Sequence, residues 1–545
     1  MQAILIIWRR KMKQLFKYVR QEPGKVAVVT FLTALASAFR VGHSLIQVMV
    51  LNSLIKLSVH DFVKYVLFDV LVFALLSVVL VFQEIAKAWT IQHLSLHLRQ
   101  DLARKISRQS IVQFQSRDTG AYSSWLTNDV NMIEGQGFEY LLSSIQVITD
   151  PLFSLIALLK FSWTYLPLIV VLSFFTVYFP QLVRKKLAQS NLSTTKANES
   201  LLNTINDVLR GFSNLMIFGA EREIERRITI ATRNLIAKKI TQAKYTTMAN
   251  NIAGFSNIIG QTSIQAWTGY LALTHVVTVG VIASAGGLAY NVFNSLAVIA
   301  PILTSLRSLD PVFEKYDIGE NAQLQSTRKI ANDQSLNLTA KKLKFSYKDK
   351  PVFKQALNFT IKNNEKVAIH GQSGSGKSTV LRILSGQLPN YQGSVELNQV
   401  ELKDANYDSL RDLIAYIDQT PYLFAKSIRY NLTLGQDFDD EQLKKALKEA
   451  DLLDYVNSLP EGLDTEIQEG GTSMSGGQKQ RLALARGLLR KKKLFLLDES
   501  TSNLDHESAL AVENNFLKQK DIAVVFVSHQ LHEENLADFD QVIEV

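Results

Sequence analysis

No cysteine occurs in the 545 residues. That excludes disulfide bridges, thiolate metal sites and cysteine nucleophiles. Charge is scarce as well: Asp, Glu, Lys and Arg make up 20% of the chain against 47% hydrophobic residues, a lower share than a wholly water-soluble chain usually carries. The same balance excludes a disordered or acidic chain. Low-complexity segments and internal repeats are absent. Proline is thin, 10 in all. None lies in the polar stretches 89–139 and 184–251, so helices can run through both without a break.

What is present divides in two. The first 310 residues hold long apolar runs, and the rest reads as a water-soluble domain. A membrane span needs about 20 mostly apolar residues. Six segments meet that length: Val26–Ile55, Phe62–Ala88, Tyr140–Phe161, Tyr165–Val183, Ile252–Thr274 and Val276–Leu306. The fifth is the most polar, with Asn257, Gln261 and Gln265 inside it. Short loops follow spans 1, 3 and 5. The long polar stretches follow spans 2 and 4 and read as helices that continue past the bilayer and turn back.

The net charge of +9 is concentrated at particular borders. Arg9, Arg10, Lys11, Lys13, Lys17 and Arg20 crowd the N-terminus; Arg99, Arg104, Lys105 and Arg108 follow span 2; Arg184, Lys185 and Lys186 follow span 4. Basic clusters beside alternate spans are the positive-inside pattern, which places the N-terminus and both long loops in the cytoplasm. These clusters form no separate basic domain, so nucleic acid is not an expected partner. Ala3–Trp8 is too short for a signal-peptide core, and its basic cluster follows instead of preceding it. Residues 2–20 read as an amphipathic helix at the cytoplasmic interface.

From Leu338 short strands predominate, among them Leu357–Ile361, Lys366–His370, Leu494–Leu497 and Ile522–Val527. The expected fold is a membrane all-α six-helix domain over residues 1–315, a linker over 316–336, and an α/β P-loop ATPase domain over 337–545. Gly371, Gln372, Ser373, Gly374, Ser375, Gly376, Lys377, Ser378 and Thr379 match GxxxxGK[ST]. In that pattern glycines let backbone N–H groups curl round phosphate, the lysine reaches the β/γ-phosphates, and the hydroxyl of Ser378 meets Mg²⁺. Phe495–Glu499 is an apolar strand ending in two carboxylates. Asp498 is placed to help hold Mg²⁺ and Glu499 to polarise an attacking water. ATP and Mg²⁺ are therefore the expected cofactors.

Met474-Ser475-Gly476-Gly477-Gln478 closely resembles the signature of ABC-transporter ATPases, and Asp498 follows Gln478 at a similar spacing to that family's. The six spans ahead of the ATPase resemble the type IV, exporter-like arrangement. The resemblance implies that Tyr347 stacks on adenine and that Gln419 is the Q-loop glutamine beside the metal. It further implies that Glu469 is the acidic residue ahead of the signature, Ser502–Asp505 the D-loop, and His529 the switch histidine. It makes the active site composite: Ser475, Gly476, Gly477 and Gln478 would serve, in trans, the ATP held by a second chain. Thr119–Asp129 and Asn206–Glu221 resemble the two coupling-helix segments. Met474 departs from the usual leucine. The chain stops soon after its last expected strand, so short or absent C-terminal helices are expected.

The function implied is that of an ATP-driven transporter half-subunit in the cell membrane. It would act with a second half-transporter, as homodimer or heterodimer, on a small-molecule, lipid or peptide substrate. No peptidase segment precedes span 1, which argues against leader-cleaving peptide export. A siderophore- or haem-type importer and a regulatory subunit of a heterodimer remain as alternatives; Glu499 and His529 together favour catalysis. Within span 1, Thr33, Ser37, Arg40, Ser44 and Gln47 fall on one helical face. Two readings of Arg40 follow. Either it lines a polar substrate path with His43 and Gln47, or it pairs with Asp150 of span 3.

Overall fold

The computed structural model describes residues 13–179, 181–316, 326–331, 335–347, 350–372, 374–498, 506–527 and 537–545. It divides into two compact units, residues 1–103 with 120–317, and residues 104–119 with 318–545.

The first unit is helical. Helix α1 spans Pro23–Ile55, α2 Val59–Ser107, α3 Glu139–Phe161, α4 Tyr165–Tyr178, α5 Gln181–Arg210, α6 Arg222–Leu273 and α7 Val281–Ser308. Proline opens α1, where its missing N–H costs no helical bond. Among the described residues, five helices are long and apolar enough to cross a membrane, those at Pro23–Ile55, Val59–Ser107, Thr119–Phe161, Tyr165–Arg210 and Val281–Glu314. The expected fifth span lies in α6, which falls short on apolarity because Asn257, Gln261 and Gln265 interrupt it. It is nonetheless one unbroken helix of 52 residues, and its Ile264 and Leu271 are buried with Leu158, Tyr165, Leu288 and Phe293 in the core of the bundle. Gly260 belongs to the same packing: a Cβ there would lie 2.6 Å from the Phe293 ring.

Helix α2, with 49 residues, is about 74 Å long at the usual rise, more than twice the hydrocarbon thickness of a bilayer. The expected continuation of helices beyond the membrane is therefore present. Ion pairs tie its far half to the helix entering α3: Lys87 with Glu139, and Arg99 with Glu134 at 3.2 Å. That entering helix, from Thr119, contains two π-helical segments, Trp125–Asp129 and Glu134–Phe138. Of the expected interfacial helix, residues 1–12 lie outside the described residues. Lys13–Val19 is helical, with Leu15 and Tyr18 buried and Lys17 and Tyr18 both bonded to Asp101 at 2.9 and 3.0 Å.

The first turn-back segment falls earlier than expected. The short helix is Ile111–Gln115, capped by Ser110 and Gln113 in a reciprocal capping box, whereas Thr119–Asp129 already belongs to the returning helix. The second short helix, Phe212–Ile217, falls inside the expected Asn206–Glu221.

The second unit holds two main sheets. Their strands are β1 Asn337–Lys344, β2 Leu357–Lys362, β3 Lys366–His370, β4 Gln392–Leu397, β5 Val400–Glu401, β6 Ile414–Ile417, β7 Leu494–Asp498, β8 Ala523–Val527 and β9 Gln541–Glu544. The first sheet is antiparallel, in the order β2-β1-β4-β5; the second is parallel, in the order β9-β3-β8-β7-β6. Strands β7 and β8 are buried at every position, which is why they read as continuous apolar runs without alternation. Helix α8, Lys377–Leu384, packs on one face of the parallel sheet, and α9, Gly476–Leu489, on the other. In such sheets the carboxyl ends of the strands form the ligand crevice, and the ends of β3, β6 and β7 carry the predicted site residues.

Candidate functional site

The loop from Gly371 to Gly376 joins β3 to α8, and its shape depends on glycine at three places, Gly374 among them with φ +80°. Gly376 has φ +101°, and a Cβ there would stand 2.3 Å from the Val352 side chain. Gly371 lies against the Val545 carbonyl, which a Cβ would approach to 2.4 Å. Gly376→Ala is therefore expected to weaken nucleotide affinity about tenfold or more, since a left-handed conformation alone costs an L-residue roughly 1–2 kcal/mol. Titration of the purified variant with a fluorescent ATP analogue checks this, and parent-like affinity would refute it.

Lys377 is almost fully buried, and its ammonium donates to the carbonyls of Gly371 at 2.9 Å and Gln372 at 3.0 Å. The Ser375 hydroxyl is buried and makes no hydrogen bond among the described residues. A buried ammonium and an unsatisfied hydroxyl inside a glycine-shaped loop, at a helix N-terminus, form a donor set that fits phosphate. Ser373 lies outside the described residues.

At the end of β7, Asp498 is buried and accepts two hydroxyl hydrogen bonds. Ser378 Oγ donates to Oδ1 at 2.6 Å, and Tyr416 Oη donates to Oδ2 at 2.7 Å. Ser378 and Asp498, 120 residues apart in sequence, thus meet as the motif pairing predicts. Hydroxyl and carboxylate oxygens are hard ligands of the kind Mg²⁺ takes, as one or two protein contacts beside phosphate. Tyr416, at the end of β6, was not singled out by sequence; no spacing motif marks it. Burial, then the adjacent carboxylate, pushes its hydroxyl well above the ordinary phenol range, so it stays protonated.

Gln419 follows β6 by two residues, its N–H bonded to Asp418 Oδ1 at 2.8 Å. The carbonyls of Asp418 and Gln419 accept from Gln480 Nε2 at 3.3 and 2.9 Å. Gln480, on α9, is a second residue that sequence reading missed; it fixes the Gln419 loop to the signature helix of the same chain. Ser475 caps α9 in a capping box, with Gln478 N–H donating to Ser475 Oγ at 3.3 Å and Ser475 N–H to Gln478 Oε1 at 2.9 Å. Ser475 and Gly476 are exposed, Gly477 is buried beside Val512, and Met474 packs in the core under the helix. The methionine thus fills a packing position, as leucine would. Tyr347 is 49% exposed, its ring edge-on to Phe345 at 4.9 Å. Thr379 is buried in the first turn of α8. Glu499, His529 and Ser502–Asp505 lie outside the described residues, as does the side chain of Glu469.

In the helical unit, Arg40 Nη1 donates to both oxygens of Asp150, at 2.9 and 3.1 Å. Asp150 also accepts from Ser37 at 2.5 Å and Gln146 at 3.0 Å. Thr33 and Ser37 are buried, and the Thr33 hydroxyl turns to the Val29 carbonyl one turn earlier. Of the two sequence readings, this geometry realises the pairing of α1 with α3. His43 and Gln47 contact Asp69 of α2 at 2.7 and 2.6 Å, an acid that sequence reading did not connect with them.

Comparison with known proteins follows this division. Residues 26–294 match the ABC transporter transmembrane region, and residues 354–502 match the ABC transporter ATPase family. The chain is 26% identical over 468 residues to an ATP-dependent lipid A-core flippase of Photobacterium profundum, covering 84% of this chain and 79% of that one. It is 38% identical over 221 residues to the glutathione/L-cysteine transport system ATP-binding/permease protein CydD of Bacillus subtilis, covering 40% of this chain and 38% of that one. Its fold is similar to that of a bacterial Atm1-family ABC exporter solved with ATP bound, with TM-score 0.78, 21% identity, and 97% and 93% of the two chains covered.

Proposed function

Because this chain belongs to the ABC transporters, with a transmembrane region and an ATPase domain on one polypeptide that couple ATP hydrolysis to transport, we propose that it is one half of an exporter. It exposes its ATPase domain and N-terminus to the cytoplasm, and its working division is residues 1–315, 316–336 and 337–545. The observation that carries the nucleotide chemistry is the meeting of Ser378 with Asp498 at 2.6 Å, beside a glycine loop closed on Lys377.

In this reading, Lys377, Ser375 and the loop N–H groups bind the phosphates, and Ser378 and Asp498 hold Mg²⁺, which supplies charge neutralisation on the phosphates when bound. Tyr347 offers an exposed ring to the adenine. Glu499 orients and deprotonates the attacking water, and His529 and Gln419 assist it. Ser475 and Gly476 stand exposed at the N-terminus of a 14-residue helix, where N–H groups favour an anion. They serve the ATP bound by a second chain.

Outward transport is supported by relatives named as a lipid A-core flippase and as bacteriocin transport proteins, pediocin and lactococcin transporters among them. The substrate class proposed is an amphiphile drawn from the bilayer. Native mass measurement combined with ATPase assay tests the assembly: two chains per active particle are expected, and a fully active monomer would overturn the composite site.

A further inference from the structure

Tyr416 occupies a place in the ATPase unit that no motif explains. In the parallel register β6 lies beside β7 with Tyr416 opposite Leu496. Side chains alternate along a strand, so Leu496 and Asp498 share a face, and the Tyr416 hydroxyl reaches one step along that face to Oδ2 of Asp498, at 2.7 Å. Helix α8 packs over the same face. Its Ser378 and Arg382, one turn apart, lie on one side of the helix. Ser378 bonds Asp498 Oδ1 at 2.6 Å, and the positive charge of Arg382 lies within electrostatic reach of the Tyr416 hydroxyl.

The direction of this chain of hydrogen bonds follows from chemistry. An ionised carboxylate can only accept, so the single hydrogen of the Tyr416 hydroxyl goes to Asp498. Held by a hydroxyl on each oxygen, the carboxylate cannot turn about its Cβ–Cγ bond, and its remaining lone pairs keep one orientation. Tyr416 also lies three residues before Gln419, on the strand that leads directly into that loop.

We propose that Tyr416 is a positioning residue for the ATPase reaction: its hydroxyl aims the Asp498 carboxylate at Mg²⁺ and links that aim to the strand carrying Gln419. The inference rests on the reading of Asp498 as a metal-holding residue. A shift of the Gln419 loop would move Tyr416 and change how firmly the carboxylate is held, so metal retention would report on the loop's position.

The test is Tyr416→Phe in the full-length protein, in detergent or nanodiscs. The ring and its packing are kept and only the hydroxyl is lost. Binding of a non-hydrolysable ATP analogue is measured in EDTA and then across a Mg²⁺ titration, with Mn²⁺ binding followed by electron paramagnetic resonance in parallel. The expected result is unchanged affinity in EDTA and a Mg²⁺ midpoint raised about tenfold, the loss that one charge-assisted hydrogen bond entails. A parent-like midpoint overturns the proposal. So does an equal loss with and without metal accompanied by a lower melting temperature, which would make Tyr416 a packing residue. If the parent protein itself binds the analogue identically with and without Mg²⁺, the metal reading of Asp498 fails, and the role of Tyr416 falls with it.

Discussion

Glu499→Gln is expected to retain ATP binding while turnover falls roughly a hundredfold or more, the contribution typical of a general base. Asp498 is the last residue of β7, buried and fixed by hydroxyls from Ser378 and Tyr416. Glu499 follows it directly in sequence. Glutamine preserves size and hydrogen bonding but cannot take a proton at neutral pH. Binding should survive because the phosphate contacts come from Lys377 and the loop. The variant should also accumulate as an ATP-bound two-chain particle. Steady-state ATPase and nucleotide-trapping assays on the same preparation check both statements; parent-like hydrolysis would remove Glu499 from its assigned role.

Arg40→Ala should cost stability more than transport specificity. Asp150 is 8% exposed and pairs with the Arg40 guanidinium at 2.9 Å. Removing one member of a partly buried pair leaves a poorly compensated charge, with a penalty of up to about 3–5 kcal/mol, the figure for full burial. Asp150→Asn should destabilise in the same sense, and the double variant Arg40→Met with Asp150→Leu should recover most of the loss, because it removes both charges. Thermal unfolding in detergent, with basal ATPase beside it, decides the matter. Unaltered melting in Arg40→Ala with selective loss of substrate-stimulated ATPase would restore the substrate-path reading.

Legibility in the sequence depended on whether a function is written locally. The phosphate loop and the capped signature helix are contiguous, and their backbone geometry follows from Gly376 and from the pair Ser475 and Gln478. The meeting of Ser378 with Asp498 spans 120 residues, yet it was readable because two known motifs imply it. Tyr416, Gln480 and Asp69 act through long-range bonds, and nothing in their immediate neighbours marks them. The Arg40 question stayed open in sequence because helical spacing names a face without naming what the face meets. The misplaced turn-back helix had a usable signal: Ser110-Ile-Val-Gln113 is a capping-box pattern, and it sits where the helix begins. The fifth span was read correctly as a helix, although composition alone leaves it short of a membrane span.

The two π-helical segments between Trp125 and Phe138 alter how the returning helix must be read. A π turn closes its hydrogen bonds at i→i+5 in place of i→i+4, so each segment takes up about one extra residue and sets back the angular phase of everything beyond it by about 100°. Two in succession set it back by about 200°. A helical wheel drawn from Thr119 straight through to Phe161 therefore puts Gln146 and Asp150 on nearly the opposite side from where they stand. The face that turns Asp150 towards Arg40 is thus set by the phase accumulated between residues 125 and 138, and residues on either side of that stretch belong on separate wheels.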